Sequence, residues 1–413
     1  MRNVPELRFD GFDGEWEENR LENLGTAISG NISIDKSDDV SFSLPVYKVS
    51  DMNLAVNNIF MNESHTYVSS DKARKNKMKV IKQIPSIIFA KRGAAIALER
   101  KRIVTHPFLL DTNMMAYSPN NDHEIYFLKQ YLDFKGFYMF IQSGALPAIN
   151  IKDINSYKIK IPNYSEQEKI GDLFRKIDAL IEIQEGKVSK MEDFKKSMFQ
   201  KTFPKKGELV PEFRFDGFDG EWKYIYVKDI GNFLGGTSIE SHFNKKGEYK
   251  VISIGSYSNN SKYIDQGLRV DLNDKTKSKL LSRNDLAMVL NDKTTQGNII
   301  GRALLIDEDN KYIFNQRTQR ISPNFDKYNS LFLYYLFNSD IFRNKIKKIS
   351  QGNTQIYVNW PNVESISLKI PTKKEQEKIG QFFKNLDAQI ENEEKLLESY
   401  KNMKKSLLQK MFV

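Results

Sequence analysis

The chain has 413 residues, 40% hydrophobic and 28% charged, which is the composition of a globular protein and the length of two or three domains. Lys plus Arg number 63 against 53 Asp plus Glu, and the resulting +10 favours a polyanion or an acidic surface as partner. The absence of cysteine excludes disulfides, thiolate metal sites and cysteine nucleophiles, and four scattered histidines (His65, His106, His123, His242) do not suit a histidine metal site.

The first residues lack the apolar core of a signal peptide, and no stretch approaches the ~18 apolar residues that a membrane span needs. A cytoplasmic location is the expectation. Val4-Pro-Glu-Leu-Arg-Phe-Asp-Gly-Phe-Asp-Gly-Glu-Trp16 clusters carboxylates, but not at calcium-loop spacing, and reads as a tight turn between Phe and Trp anchors. A short strand follows at Pro45–Val49. A buried strand at Ser86–Ala90 runs into the basic turn Lys91-Arg92-Gly93. Ser118-Pro-Asn120 is a stop, Ile125–Leu132 an aromatic helix, and Ser143-Gly144-Ala145 a small-residue closing turn before Ile161-Pro162. From Ser165 to Phe203 there is no proline and charge is dense, which predicts one helix of about 40 residues, ~60 Å long. Ser165 with Glu168 resembles a capping box at its start.

The same order then returns. Val210-Pro-Glu-Phe-Arg-Phe-Asp-Gly-Phe-Asp-Gly-Glu-Trp222 differs from the first segment at a single residue, Phe213 for Leu7. Ile161-Pro162 and Glu166-Gln-Glu-Lys-Ile-Gly171 recur as Ile370-Pro371 and Glu375-Gln-Glu-Lys-Ile-Gly380, and the match runs on to Phe203 and Phe412. Between these anchors the halves diverge in residues while keeping the order of elements: strands at Tyr249–Ile254 and Asp285–Leu290, Ser322-Pro-Asn324, and an aromatic helix at Leu331–Phe337. The fold class is therefore α+β, with two homologous globular domains and two long repeated helices. The expected boundaries are 1–162, 163–209 for the central helix and linker, 210–371, and 372–413 for the C-terminal helix.

Apolar residues on the two helices fall three and four apart: Ile170, Leu173, Ile177, Leu180, Met191, Phe194 and Met198 on the first, and Ile379, Phe382, Leu386, Ile390, Tyr400, Met403 and Leu407 on the second. A narrow seam carried by both copies favours an antiparallel coiled coil over two independent surface helices. A pseudo-twofold arrangement would put Ile170 near Leu407 and Met198 near Ile379. It would bring the polar Gln184 and Glu393 together mid-seam.

Catalytic signatures are missing. There is no Gly-x-x-x-x-Gly-Lys-Ser/Thr loop, Gly231–Gly236 does not match a dinucleotide fingerprint, and the absence of Pro-Pro rules out the motif that holds a target amine in amino-methylating enzymes. Two diverged modules on a basic chain instead suit the reading of two different short DNA sequences, with Lys and Arg on phosphates and polar side chains on base edges. The candidates are Lys91, Arg92, Asn113, Ser143 and Gly144 in the first half, and Lys293, Thr294, Thr295, Gln296, Gln316, Arg317, Asn353, Thr354, Gln355 and Tyr357 in the second. Loops that follow buried strands are where binding groups are usually mounted.

The whole-chain order of variable domain, Ile-Pro with Glu-Gln-Glu-Lys-Ile-Gly helix, second variable domain and second such helix resembles the specificity subunit of a Type I restriction–modification system. The Phe9–Trp16 segment and its copy are similar to those that introduce each recognition domain in that family. The resemblance implies two target-recognition domains, each reading half of a bipartite, asymmetric site in double-stranded DNA. It also implies that the helices act as spacer and dock two adenine-N6 methyltransferase subunits, with restriction subunits joining for cleavage. The chain itself would then be non-catalytic and hold no cofactor or metal, while S-adenosylmethionine, ATP and Mg would belong to the partners. Ala145-Leu-Pro147 departs from the more polar Asn353-Thr-Gln355. A coiled-coil adaptor without DNA function and a self-contained nuclease are the competing classes. The near-identical repeats also suit exchange of domains between related genes by recombination.

Overall fold

The apolar β-forming runs become strands in the computed structural model, which describes residues 3–34, 43–140 and 147–413. The chain divides into two units, Met1–Gly186 with Lys395–Val413, and Lys187–Glu394.

The first unit runs β1 (Glu17–Arg20), α1 (Leu21–Leu24), β2 (Gly25–Ser29), β3 (Ser43–Tyr47), β4 (Tyr67–Ser69), α2 (Ser70–Lys75), β5 (Ser86–Ala90), β6 (Lys101–Val104), β7 (Leu109–Leu110), β8 (Met114–Pro119), α3 (Ile125–Lys135), α4 (Ile151–Ser156), β9 (Lys158–Ile161) and the start of α5 (Tyr164–Thr202). An antiparallel sheet of order β2-β8-β5-β6 lies beside a smaller one, β4-β3-β7, in which β3 and β7 are parallel, and β1 pairs with β9. Along β5, Ile87 and Phe89 join the core built with α3 and α5, while Ile88 and Ala90 join the core containing Tyr47 and Leu110. Burial on both faces is why this strand reads as an unbroken apolar run rather than an alternation.

The second unit runs from the end of α5 through β10 (Lys223–Tyr226), β11 (Gly231–Gly235), β12 (Tyr249–Ile252), β13 (Arg269–Val270), α6 (Asp274–Lys277), β14 (Leu286–Val289), β15 (Asn291–Asp292), β16 (Ala303–Leu305), β17 (Tyr312–Phe314), β18 (Thr318–Pro323), α7 (Ser330–Asn338), α8 (Asp340–Ile349), β19 (Ile356–Tyr357), α9 (Trp360–Glu364), β20 (Ser367–Ile370) and the start of α10 (Lys373–Met411). Its sheets, β11-β18-β14-β16, β13-β12-β17 and β10-β20, repeat those of the first unit strand for strand. Leu286 and Met288 face one core, and Ala287 and Val289 the other. The Ser-Pro stops end the strands that pair with Gly25 and Gly231, opposite Pro119 and Pro323. A Cβ on either glycine would lie 2.4 Å or 2.1 Å from a serine carbonyl oxygen, so no larger residue fits.

The repeated anchors are consumed internally. Glu166 takes two hydrogen bonds from Arg8, through Nε and Nη2 at 2.8 Å each, and Glu375 does the same with Arg214 at 2.9 and 2.8 Å. Gln167 accepts from the backbone N–H of Glu124 and donates to the Pro162 carbonyl, while Gln376 accepts from Asn329 and donates to Pro371. Gly171 and Gly380 let the first turns of α3 and α7 approach, since a Cβ would meet Glu124 Oε2 at 2.1 Å or Phe332 N at 3.0 Å. The cap of α5 is Asn163, whose Oδ1 accepts from Glu166 N–H; the expected Ser165–Glu168 box lies inside a helix that already starts at Tyr164.

The long helices pack along a strict alternation of threes and fours that keeps every seventh residue of the expected seam, from Ile170 to Met198 and from Ile379 to Leu407, and replaces most of the residues between them. On α5 it runs through Ile170, Phe174, Ile177, Ile181, Gln184, Val188, Met191, Lys195 and Met198. On α10 it runs through Ile379, Phe383, Leu386, Ile390, Glu393, Leu397, Tyr400, Lys404, Leu407 and Met411, all buried or half-buried. Leu180, Phe194 and Met403 do not belong to it and are 44%, 50% and 41% exposed. Leu173 and Phe382 turn toward the Phe-Asp-Gly turns instead: Leu173 and Phe9 line one hollow, and Phe382 packs on Phe213 and Phe215. The reason is that the stripe accepts polar groups when they are paired. In the first unit Asp178 receives Tyr126 Oη at 2.7 Å, Gln130 Nε2 at 2.8 Å and Lys404 Nζ at 2.7 Å, and Lys401 reaches Glu185 at 2.6 Å. In the second, Asp387 receives Tyr335 Oη at 2.7 Å and Lys195, and Lys187 reaches Glu393 at 2.7 Å. Within each unit the numbers rise along α5 as they fall along α10, which is antiparallel pairing. Ile170 and Leu407 share the first core, and Met198 and Ile379 the second.

Each core is closed by a terminal phenylalanine. Phe412 lies 5.4–6.2 Å from the rings of Trp16, Phe127, Tyr131, Phe134 and Phe174, and Phe203 sits against Trp222, Phe332 and Phe383. Phe412→Ala is expected to cost about 3–5 kcal/mol in denaturant unfolding of the first unit. Phe194→Ala, an apolar deletion off the stripe, should stay within about 0.5 kcal/mol.

Candidate nucleic-acid interfaces

In each unit one edge of the two sheets collects the exits of the central strand, the turn before the strand beside it, and the return from the closing turn. The backbone contacts are the same in both. Lys91 N–H donates to the Asn113 carbonyl and Leu290 N–H to that of Arg317; Ile149 N–H donates to the Lys91 carbonyl and Val358 N–H to that of Leu290. Segments far apart in the chain are thereby fixed side by side on a sheet rather than left as separate loops.

In the second unit this edge is extended by a ribbon in which β15 and β19 pair, Asn291 opposite Tyr357 and Asp292 opposite Ile356. It brings the turn holding Lys293, Thr294, Thr295 and Gln296 beside the turn holding Asn353, Thr354 and Gln355, and every one of these side chains is exposed, as is Tyr357. Asp292 staples the first turn from inside, accepting from Thr294 N–H, Thr294 Oγ1 and Ile299 N–H at 2.8 Å each. Burial pushes its carboxyl up, and the hydrogen bonds from Ile299 and Thr294 outweigh that and leave it below the ordinary aspartate value. The Thr294 hydroxyl is spent on this staple, whereas Lys293 and Thr295 project. Gln316 and Arg317 are exposed at the neighbouring turn.

In the first unit Arg92 pairs through its backbone with Ala148, Gly93 turns with φ +77°, and the side chains of Arg92 and Asn113 are exposed. Lys91 is turned inward. Its ammonium donates to the Ser29 hydroxyl and to the Gly30 carbonyl at 3.0 Å, and burial together with the charge of Arg92 pushes its pKa down. Lys279 serves the matching corner of the second unit, donating to the Gly235 carbonyl at 2.8 Å. Ser143 and Gly144 lie outside the described residues.

Sequence reading missed a polar group on the second unit's edge. Glu240 accepts at Oε1 from Asn315 Nδ2 and Gln316 Nε2, both at 2.8 Å, and at Oε2 from the Ser238 hydroxyl. The Ser238 hydroxyl, helped by Asn315 and Gln316, holds this carboxyl well below the usual range. Ser238 is a local partner, but no local pattern could have given the cluster away, because its two amide partners lie 75 and 76 residues along the chain. Among the described residues no group of three or more His, Asp or Glu side chains is placed to hold a metal ion, and no helix is long and apolar enough to cross a membrane.

Comparison with known proteins places these edges in context. The family described as Type I restriction modification DNA specificity domain matches the chain twice, at residues 13–193 and 219–401. The Type I restriction enzyme MjaVIII specificity subunit of Methanocaldococcus jannaschii is 26% identical over 279 residues, covering 64% of this chain and 63% of that protein. The chain thus spans a little under two thirds of that relative's length. The S subunit of the Type I restriction–modification system from M. genitalium shares the fold with a TM-score of 0.62, at 14% identity over 99% of both chains. A chain from a study of complex assembly and conformational transition of the type I R-M system has a TM-score of 0.54, at 13% identity over 96% of this chain and 97% of that one.

The staple makes a local prediction. Asp292→Ala should speed amide hydrogen exchange across residues 294–299 by roughly tenfold or more, since a charged acceptor of three donors is lost, while β14 keeps its protection. Because the folded pKa is depressed, wild-type protection should hold at neutral and mildly acid pH. It should disappear only as the pH falls through that lowered value.

Proposed function

The chain belongs to the Type I restriction modification DNA specificity family, and from that membership we propose that it is the DNA-recognition subunit of such a system, each unit reading one half of a bipartite site. The observation that carries this reading is the split between the two copies. They share one topology and near-identical anchors, yet differ at the exposed edge where Arg92 and Asn113 stand in one unit and Lys293, Thr295, Gln296, Gln316 and Arg317 in the other. Two different edges on one scaffold are suited to two different half-sites.

The work divides by residue type. Arg92 and Lys293 fix register on phosphates, which carry charge but no sequence, and the amides and hydroxyls beside them meet base edges. Arg and Gln form the bidentate pairs that separate one base from another. The subunit itself performs no bond-making chemistry and carries no cofactor. Modification subunits dock on the long helices and supply S-adenosylmethionine-dependent adenine methylation after the base has left the stack, and restriction subunits supply ATP- and Mg-dependent cleavage. Since α5 passes from one unit to the other between Gly186 and Lys187, its length sets the number of unread base pairs between the half-sites.

Co-expression with the cognate modification subunit in a methylation-free host, followed by long-read mapping, is expected to give a split motif with a fixed gap and a modified adenine in each half. Absence of modification, with that subunit active beside another specificity subunit, would refute the reading. Inserting one helical turn of four residues between Gly186 and Lys187 should change the gap and leave both half-site sequences intact; an unaltered gap would refute the spacer role.

A further inference from the structure

The Glu240 cluster bears on how the second unit reads a base, an inference that rests on the DNA-recognition reading above. Glu240 is itself exposed, so its hydrogen bonds are not forced on it by burial. Its carboxylate is pinned from three directions. Asn315 is buried, and its Oδ1 accepts from Ile239 N–H at 3.1 Å, which obliges its Nδ2 to face Glu240 Oε1. Ser238 holds the other oxygen. The remaining approach to Oε1 is taken by Gln316 Nε2.

A carboxylate can only accept, so the hydrogen bond to Glu240 sets the Gln316 amide with its nitrogen toward that carboxylate and its oxygen away. One Nε2–H is thus committed, while among the described residues the second Nε2–H and the whole of Oε1 have no partner on this exposed side chain. The next residue is tied to the central strand's exit through Leu290 N–H and the Arg317 carbonyl at 2.9 Å, so the backbone under the amide is fixed as well. A free amide oxygen beside a free amide hydrogen is the pair that meets adenine, the oxygen taking N6–H and the N–H reaching N7.

We propose that Gln316 reads an adenine in the half-site of the second unit and that Glu240 is the positioning residue that presets its amide for that contact. Fixing the amide before binding removes a rotameric cost and, more importantly, removes the flipped orientation in which glutamine would offer the reversed donor–acceptor pattern to another base. Glu240 makes no base contact of its own.

The test is methylome mapping of the full chain co-expressed with its modification subunit, in wild-type form and with Gln316→Ala, Glu240→Ala and Glu240→Gln. Gln316→Ala and Glu240→Ala are expected to relax the same single adenine position, lowering discrimination there by roughly 10- to 100-fold. The gap and the other half-site should be unchanged. Glu240→Gln, which still offers a carbonyl oxygen to Gln316, should retain most of the wild-type preference. A motif unaltered by Gln316→Ala, or the two alanine variants relaxing different positions, would overturn the proposal, the latter making Glu240 a reader in its own right. Loss of all modification in either alanine variant would mark the cluster as a structural support and overturn it too. A wild-type chain that directs no methylation at all would instead sink the DNA-recognition reading on which the proposal stands.

Discussion

A two-pronged ion pair between a half-buried arginine and a buried glutamate, Arg8 with Glu166 and Arg214 with Glu375, is the contact on which each unit depends. Burying a carboxylate is costly unless its lone pairs are filled, and the guanidinium fills two at once with fixed geometry. The same guanidinium then closes the preceding turn, Arg8 donating to the carbonyls of Asp13 and Gly14 and Arg214 to those of Asp219 and Gly220. That turn delivers Trp16 or Trp222 to the core beside the phenylalanine that ends a long helix. Removing the arginine would strand the glutamate's charge in the interior and release the turn, the tryptophan and the first turn of the long helix together.

This explains which parts of the two copies are alike. The anchor side chains are committed to one another, so each substitution would leave a donor, an acceptor or a cavity unfilled. The edge residues owe little to the interior. Arg92, Asn113, Lys293 and Thr295 project from backbone already held by strand-to-strand hydrogen bonds, and their identities can vary without disturbing the sheet. Stability is carried by the anchors and hardly at all by the edge residues of the same scaffold, which lets one set be fixed while the other changes.

Much of this was legible in the sequence. The repeat gave the two-unit architecture, and the doubly buried strands β5 and β14 announced themselves as unbroken apolar runs. One of the two repeating positions of the helix stripe was legible and the other was not, because apolarity alone misleads there. Leu173 and Phe382 are apolar but serve the Phe-Asp-Gly turns, whereas Gln184, Lys195 and Lys404 are polar but lie on the stripe, where Lys195 and Lys404 pair with Asp387 and Asp178. The ribbon of β15 and β19 and the Glu240 cluster were equally hidden, since each joins residues more than sixty positions apart through two-residue strands or single hydrogen bonds that leave no periodic trace.

The inward lysines carry a consequence for rebuilding the protein. One backbone corner is neutralised in both units, by Lys91 from the strand exit in the first and by Lys279 from the turn after α6 in the second. The position matching Lys91 in the second unit is Leu290. Copying lysine there alone would crowd a second ammonium against a corner already served, and replacing Lys91 by leucine alone would leave the Gly30 carbonyl with only the long contact from the Ser29 hydroxyl. The residues beneath this edge are therefore coupled through that corner, and grafts between the two halves must move as blocks that carry the edge and its corner lysine together.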